Sequence, residues 1–241
     1  MTTIYQISDC HLGDEKSYRN LARALKLAQA DDECTHVLLT GDICCGPNVG
    51  SYKKLVRFID EYIQDKVIIA IAGNHDDDLL MRVELKGSSI SMPSKANISG
   101  RQFLFLNSSN KPIDNTHPLG SGRLSNRDFA TFKKQLRKST NPVVVIHHPI
   151  IRVGSEWMKA ICLENDNEVF QALQKHQVEE VICGHGHDEI VEMQQGVTQY
   201  MAPSTAYGFD HSVEKYNRTE NIGVSRVVVA PDRLHYEAIY L

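Results

Sequence analysis

His36-Val37-Leu38-Leu39-Thr40-Gly41-Asp42 is an apolar run interrupted by glycine and closed by a carboxylate. Such a run, with no polar alternation, predicts a strand buried on both faces, as in parallel sheets covered by helices. The same pattern recurs along the chain. Thr3 to Ser8 leads into Asp9-Cys10-His11, and Val67 to Ala72 into Gly73-Asn74-His75. Val143 to Ile146 leads into His147-His148-Pro149, and Glu180 to Cys183 into Gly184-His185-Gly186-His187. Ligands of open α/β sheets bind beyond the carboxyl ends of the strands. Five strand ends are therefore expected to gather carboxylates, an amide and imidazoles at one edge.

Helical patterns fill the intervals: Ser17 to Ala30, Ser51 to Gln64, Asp76 to Lys86, Ser125 to Lys138 and Asn167 to His176. Leu21, Leu25 and Ala28 share one face of the first, and Ser125 with Asp128 forms a capping-box signature at the fourth. Alternation of strand and helix implies crossover units. Further strands are expected at Gln102 to Asn107, Val197 to Met201, Ser225 to Ala230 and Leu234 to Tyr240. The strand-rich last third fits a second sheet packed on the first. Asn107 to Gly122 and Ile151 to Asn165 are the candidate flexible segments, and neither has the composition of an interdomain linker. A single α/β domain over residues 1–241 is the expectation.

The composition, 41% hydrophobic and 23% charged, suits a packed globular core. A net charge of −4 gives no basic footprint for a nucleic-acid polymer. No run is long enough to span a membrane, and the first apolar stretch reads as a strand, not a signal peptide. The expected compartment is the cytoplasm. The six cysteines show no CxxC pair or zinc-finger spacing. Cys10, Cys44 and Cys183 adjoin candidate metal ligands, but small buried residues filling space beneath loops are the simpler reading.

Oxygen and nitrogen donors in this mixture suit borderline metals such as manganese, iron, cobalt or zinc. Asp9 and His11 alternate about Cys10, so an extended turn can direct both the same way. Asp42, emerging from a buried strand, is placed to bridge two cations. Asn74 contributes a neutral oxygen that limits negative charge, and Gly186 lets His185 and His187 diverge toward separate metals. Each motif alone is ambiguous; their order and common position at strand ends predict a dinuclear hydrolase.

The series D-x-H, G-D, G-N-H-D, H and G-H-x-H resembles the calcineurin-like metallophosphoesterases, over Asp9 to His187. Tyr200-Met201 followed by Ala202-Pro203-Ser204-Thr205, and Gly122-Arg123-Leu124-Ser125, are similar to later segments of that family. His147-His148-Pro149 and the Trp157 loop are closest to bacterial class III cyclic-nucleotide phosphodiesterases. The resemblance implies a four-layer αββα sandwich of two mixed sheets flanked by helices. It also implies one metal on Asp9, His11 and His187 and another on Asn74, His147 and His185, with Asp42 shared. His75 would be a phosphate contact or acid. Phosphoprotein phosphatases of this superfamily carry an aspartate and an arginine where Cys45 and Gly46 stand here, so phosphoprotein dephosphorylation is disfavoured and another group must orient His75.

Two such metals would lie roughly 3.5–4 Å apart and would lower the pKa of a bridging water, and the resulting hydroxide would attack phosphorus in line. His75 would contact the phosphate or protonate the leaving alkoxide. The expected reaction is hydrolysis of a cyclic nucleotide, 3′,5′-cyclic AMP to 5′-AMP. Alternatives are another small diester, such as a glycerophosphodiester or 2′,3′-cyclic nucleotide, and, last, a non-catalytic metal-binding scaffold. Asn74, His75, His187 and Trp157 are the substrate-contact candidates, with His117, Arg123 and Tyr207 in rim segments. His36, His176, His211 and His235 read as surface or packing residues. Oligomeric state is left open, a dimer included.

Overall fold

A computed structural model describes residues 2–241. The first sheet takes β1 (Thr2–Ile7), β2 (Cys34–Thr40), β3 (Val67–Ile71) and β4 (Ile90–Ser91) as parallel neighbours. The second is built on β5 (Lys95–Ile98), β6 (Arg101–Phe105), β7 (Val143–Val145), β8 (Glu180–Cys183), β9 (Ile190–Gln194) and β10 (Val197–Met201), in the order β5-β6-β7-β8-β10-β9. Its inner strands β6, β7, β8 and β10 are parallel, and β5 and β9 close the edges antiparallel. A two-stranded ribbon follows, β11 (Gly208–Phe209) with β12 (Arg218–Thr219). The chain then returns to the first sheet with β13 (Gly223–Val229) and β14 (Leu234–Tyr240), β13 lying antiparallel to β1.

Alternate side chains of each central strand enter different layers. Leu38 of β2 and Val143 and Val145 of β7 meet in the apolar layer between the sheets. Val37 and Leu39 face outward to α1 (Glu15–Ala30), α2 (Ser51–Asp60) and α3 (Asp78–Leu85), through Leu21, Leu25, Tyr52, Leu55 and Met81. Val144 and Ile146 face α4 (Asn126–Leu136) and, after the short α5 (Glu156–Ala160), α6 (Asp166–Lys175), through Phe132, Leu136, Val169 and Leu173. The result is the expected four layers, helix, sheet, sheet, helix.

Three expectations need correction. The last third does not supply the second sheet alone: β13 and β14 complete the first, because the free edge of β1 requires a partner for its backbone groups. The third helix starts at Asp78, with Asp77 accepting from Leu80 N–H as its cap. Asp76 stays outside, its carboxylate taken by other backbone amides. The Ile151 to Asn165 segment contains a helix, α5.

Candidate metal centre and cleft

The parallel strands stop together, and the next residues turn into one site. Asp9, His11, Asp42, His185 and His187 all have positive φ, between 43° and 73°. Non-glycine residues rarely adopt that region, and clusters of such strain accompany functional sites. Gly41 is required here on two counts: its φ is 95°, and a Cβ would lie 2.5 Å from Nδ1 of His147.

Asp9, His11 and His187 form one group of converging donors, and Asp9, Asp42 and His147 another. His187 Nε2 lies 3.2 Å from Asp9 Oδ1 and 3.1 Å from His11 Nε2, while His147 Nε2 lies 3.4 Å from Asp42 Oδ1. Their outer nitrogens are committed to backbone carbonyls. His147 Nδ1–H donates to Thr40 O at 2.8 Å, His187 Nδ1–H to Tyr207 O at 2.9 Å, and His185 Nε2–H to Ile161 O at 3.1 Å. This outer bonding selects the tautomer that turns a lone pair inward, as metal-binding histidines require. Asp9 Oδ1, Asn74 Oδ1 and His147 Nε2 are buried without any hydrogen-bond partner. Buried polar atoms are seldom left so, and three lone-pair donors orphaned side by side fit cations as the missing partner.

Charge follows the same geometry. Burial opposes ionisation of His147, yet Asp42 and Asp9 outweigh it and push its pKa up to about 9. Burial and the neighbouring imidazoles pull His11 down to about 4 and His185 to about 3. Burial raises Asp9 and Asp42, but the imidazoles facing them hold both below the ordinary carboxylate range. Asp9, Asp42, His11 and His185 are thus in the deprotonated form that cations need, whereas His147 would give up a proton to a cation bound at Nε2.

Several supports lie outside the donor set. Asp9 Oδ2 accepts from Ser8 Oγ at 2.5 Å and His185 N–H at 3.0 Å, and Ser204 Oγ donates to Asp9 O at 2.8 Å. Asp76 accepts from Ile43, Cys44 and Gly73 N–H and from Tyr52 Oη, lacing two loops together. Burial and Asp42 raise its pKa to about 6. His148 has both nitrogens engaged, with Ser108 Oγ and Gly120 O, so it braces the 107–122 segment. The motif letters hold the signal for Asp76 and His148; their roles depend on contacts that spacing does not reveal.

His75 donates its backbone N–H to Asp42 Oδ1 at 2.8 Å, and its ring meets His11 edge-on at 4.8 Å. Cys45 is the exposed cysteine, and its thiol groups with His11 and His75. Cys10, Cys44 and Cys183 are buried, and burial raises all three thiols above their usual range, in keeping with space-filling roles.

A cleft of about 180 Å³ opens over His11, Asp42, Asn74, His75, His185 and His187. Trp157 and Tyr207 line it, as do Phe209, Tyr216 and Arg218, which the sequence reading missed because two-residue strands and the loop between them leave no periodic pattern. Arg123 instead pairs with Glu164 at 2.5 Å, and neither it nor His117 lines the cleft. His211 packs internally, its Nε2 2.7 Å from Gly186 O and its ring stacked on Trp157.

The fold and this strand-end cluster are those of a phosphoesterase. The calcineurin-like phosphoesterase family profile matches residues 2–189, and the chain belongs to that family. It is 28% identical over 217 residues to a "Probable cyclic nucleotide phosphodiesterase" of Vesicomyosocius okutanii, covering 87% of this chain and 88% of that protein. It is also 28% identical to the 3′,5′-cyclic adenosine monophosphate phosphodiesterase of Vibrio vulnificus, over 86% of this chain and 77% of that one. In fold it is similar to a dimetal phosphatase of Danio rerio, with TM-score 0.68 and 15% identity, covering 98% of this chain and 95% of that chain. The protein is therefore a metal-dependent phosphoesterase. Among the described residues, no helix is long and apolar enough to cross a membrane.

Proposed function

We propose that this chain is a dinuclear-metal phosphodiesterase that hydrolyses cyclic nucleotides, with 3′,5′-cyclic AMP as substrate and 5′-AMP as product. The observation that carries the reading is the set of orphaned buried donors, Asp9 Oδ1, Asn74 Oδ1 and His147 Nε2, of which Asn74 lines an aromatic-walled cleft together with His11, Asp42, His185 and His187. The names of the relatives in V. okutanii and V. vulnificus supply the substrate class.

Asp9, His11 and His187 would hold one cation and Asn74, His147 and His185 the other, with Asp42 between them. Iron or manganese suits this donor set, with zinc or cobalt as substitutes. The cations would supply Lewis acidity to the phosphoryl oxygens and acidify water near neutral pH. The chain's own residues do the rest. His75, on the cleft wall, hydrogen-bonds a phosphate oxygen or hands a proton to the departing sugar oxygen. Asn74 and His187 border the phosphate, and the indole of Trp157 lies where the remainder of the substrate extends. Both sheets contribute donors, which supports reading residues 1–241 as one domain; the reading takes the cytoplasm as its compartment and a small diester as its partner.

The test is kcat/KM of the manganese- or iron-loaded protein on 3′,5′-cyclic AMP against an aryl phosphodiester. Cyclic AMP turnover at or above the aryl rate is expected. Fast aryl cleavage with negligible cyclic AMP turnover would discard the substrate and turn attention to glycerophosphodiesters and 2′,3′-cyclic nucleotides.

A further inference from the structure

One wall of the cleft is built from two separate segments, and its Phe209 ring stacks on the His187 imidazole at 4.3 Å. Trp157 of α5 meets Phe209 edge-on at 5.1 Å and Tyr216 at 5.3 Å, while His211 stacks on the indole at 5.6 Å. The Arg218 guanidinium lies 3.9 Å above the Tyr207 ring. Its hydrogen bonds go to the phenol oxygens of Tyr216 and Tyr207, and among the described residues it has no ion pair with a carboxylate. Three further features are unexplained by packing alone. The indole N–H of Trp157 is buried without a partner. Leu119, on the cleft rim, is 97% exposed, and Tyr216 is 52% exposed. Aromatic faces, an arginine plane free of acidic neighbours and an exposed leucine together suit a flat, hydrogen-bonding, weakly polar group.

We propose that Trp157, Phe209, Tyr216 and Arg218 form the subsite that takes the purine base of the substrate, with Arg218 as the specificity-determining residue. The assignment rests on the reading of the centre as a nucleotide diesterase. Tyr207 links the subsite to the chemistry, since its ring stacks on His11 at 5.3 Å and its carbonyl accepts from His187. A base seated here would leave its phosphate directed to the strand ends.

Trp157 is the only tryptophan, so its fluorescence reports this wall directly. The manganese-loaded protein is titrated with adenosine 5′-monophosphate and, separately, with ribose 5-phosphate, which carries the phosphate without the base. Saturable quenching by the nucleotide is expected, at least about tenfold tighter than the sugar phosphate, the worth of one base–aromatic stack. Arg218→Ala and Tyr216→Ala, both at exposed positions, should erase most of that margin while leaving ribose 5-phosphate binding intact. On cyclic AMP they should raise KM more than they lower kcat. Equal binding of the two ligands, or variants that keep the full margin, would overturn the subsite. Base-selective binding without diester turnover would support the subsite and refute the hydrolase reading; cyclic AMP turnover without base selectivity would do the reverse.

Discussion

Gly184→Ala tests the centre through its support. Gly184 directly follows β8, held by its N–H to His147 O at 3.0 Å. A methyl group there would collide with Ser8 Oγ and lie 2.7 Å from Asp9 Oδ2. Relief requires the Asp9 carboxylate to swing away from its two donors, Ser8 Oγ–H and His185 N–H. Each hydrogen bond to a charged group contributes about 1.5–3 kcal/mol, so the misplacement costs on the order of 3 kcal/mol. At about 1.4 kcal/mol per tenfold, manganese affinity should fall roughly 100-fold at the centre that uses Asp9. Calorimetric titration of the chelator-stripped protein measures it, with Tm of the same sample separating lost affinity from lost fold. Wild-type affinity at unchanged Tm would refute both the crowding argument and the role given to Asp9.

Asp42→Ala should remove metal and turnover together; two bound metals with full activity would sink the shared-ligand assignment. His75→Ala should slow turnover by about 10²-fold or more, as for a lost proton donor, with near-normal metal content by atomic emission. Loss of metal first would make His75 a ligand. Iodoacetamide should slow the enzyme several-fold by alkylating exposed Cys45, and Cys45→Ser should resist; equal inactivation of both would place the reactive thiol elsewhere. Burial opposes ionisation of Glu164, but the Asp114 and Ile113 N–H groups and Arg123 outweigh it and lower its pKa from 4.5 to about 2. Its folded-state pKa is depressed, so its stabilisation is complete above about 4.5 and fades as pH falls toward 2. Glu164→Gln should cost about 2–4 °C in Tm at neutral pH and speed proteolysis within residues 107–122, with the difference from wild type vanishing in acid.

The convergence of the candidate donors was legible because they follow strands whose burial is written locally. Val143 to Ile146 cannot be other than interior, and whatever follows such a strand must surface at the sheet edge. Pairing partners are another matter. Nothing in Thr2–Ile7 names Gly223–Val229 as its neighbour, since backbone hydrogen bonds are sequence-blind and the choice is made by long-range packing. The cleft wall was hidden for a different reason. Phe209 and Arg218 lie in a ribbon too short for periodicity, and only the folded chain brings them to one cleft with Trp157. His148 and Asp76 were visible as letters, but not as braces.

The division of the candidate ligands between two sheets has a consequence for how the chain is made. Asn74, the last of the early set Asp9, His11, Asp42 and Asn74, leaves the ribosome roughly 110 residues before His187, a delay of about 6–20 s at ordinary elongation rates. During that interval the nascent chain carries half a chelating site, and β1 still lacks the β13 strand that will cover its edge. Premature capture of a cation by the early half would have to be released or reused when the later histidines arrive. A centre that needs both halves could be completed only after His185 and His187 have been made, so its assembly would wait on the later histidines.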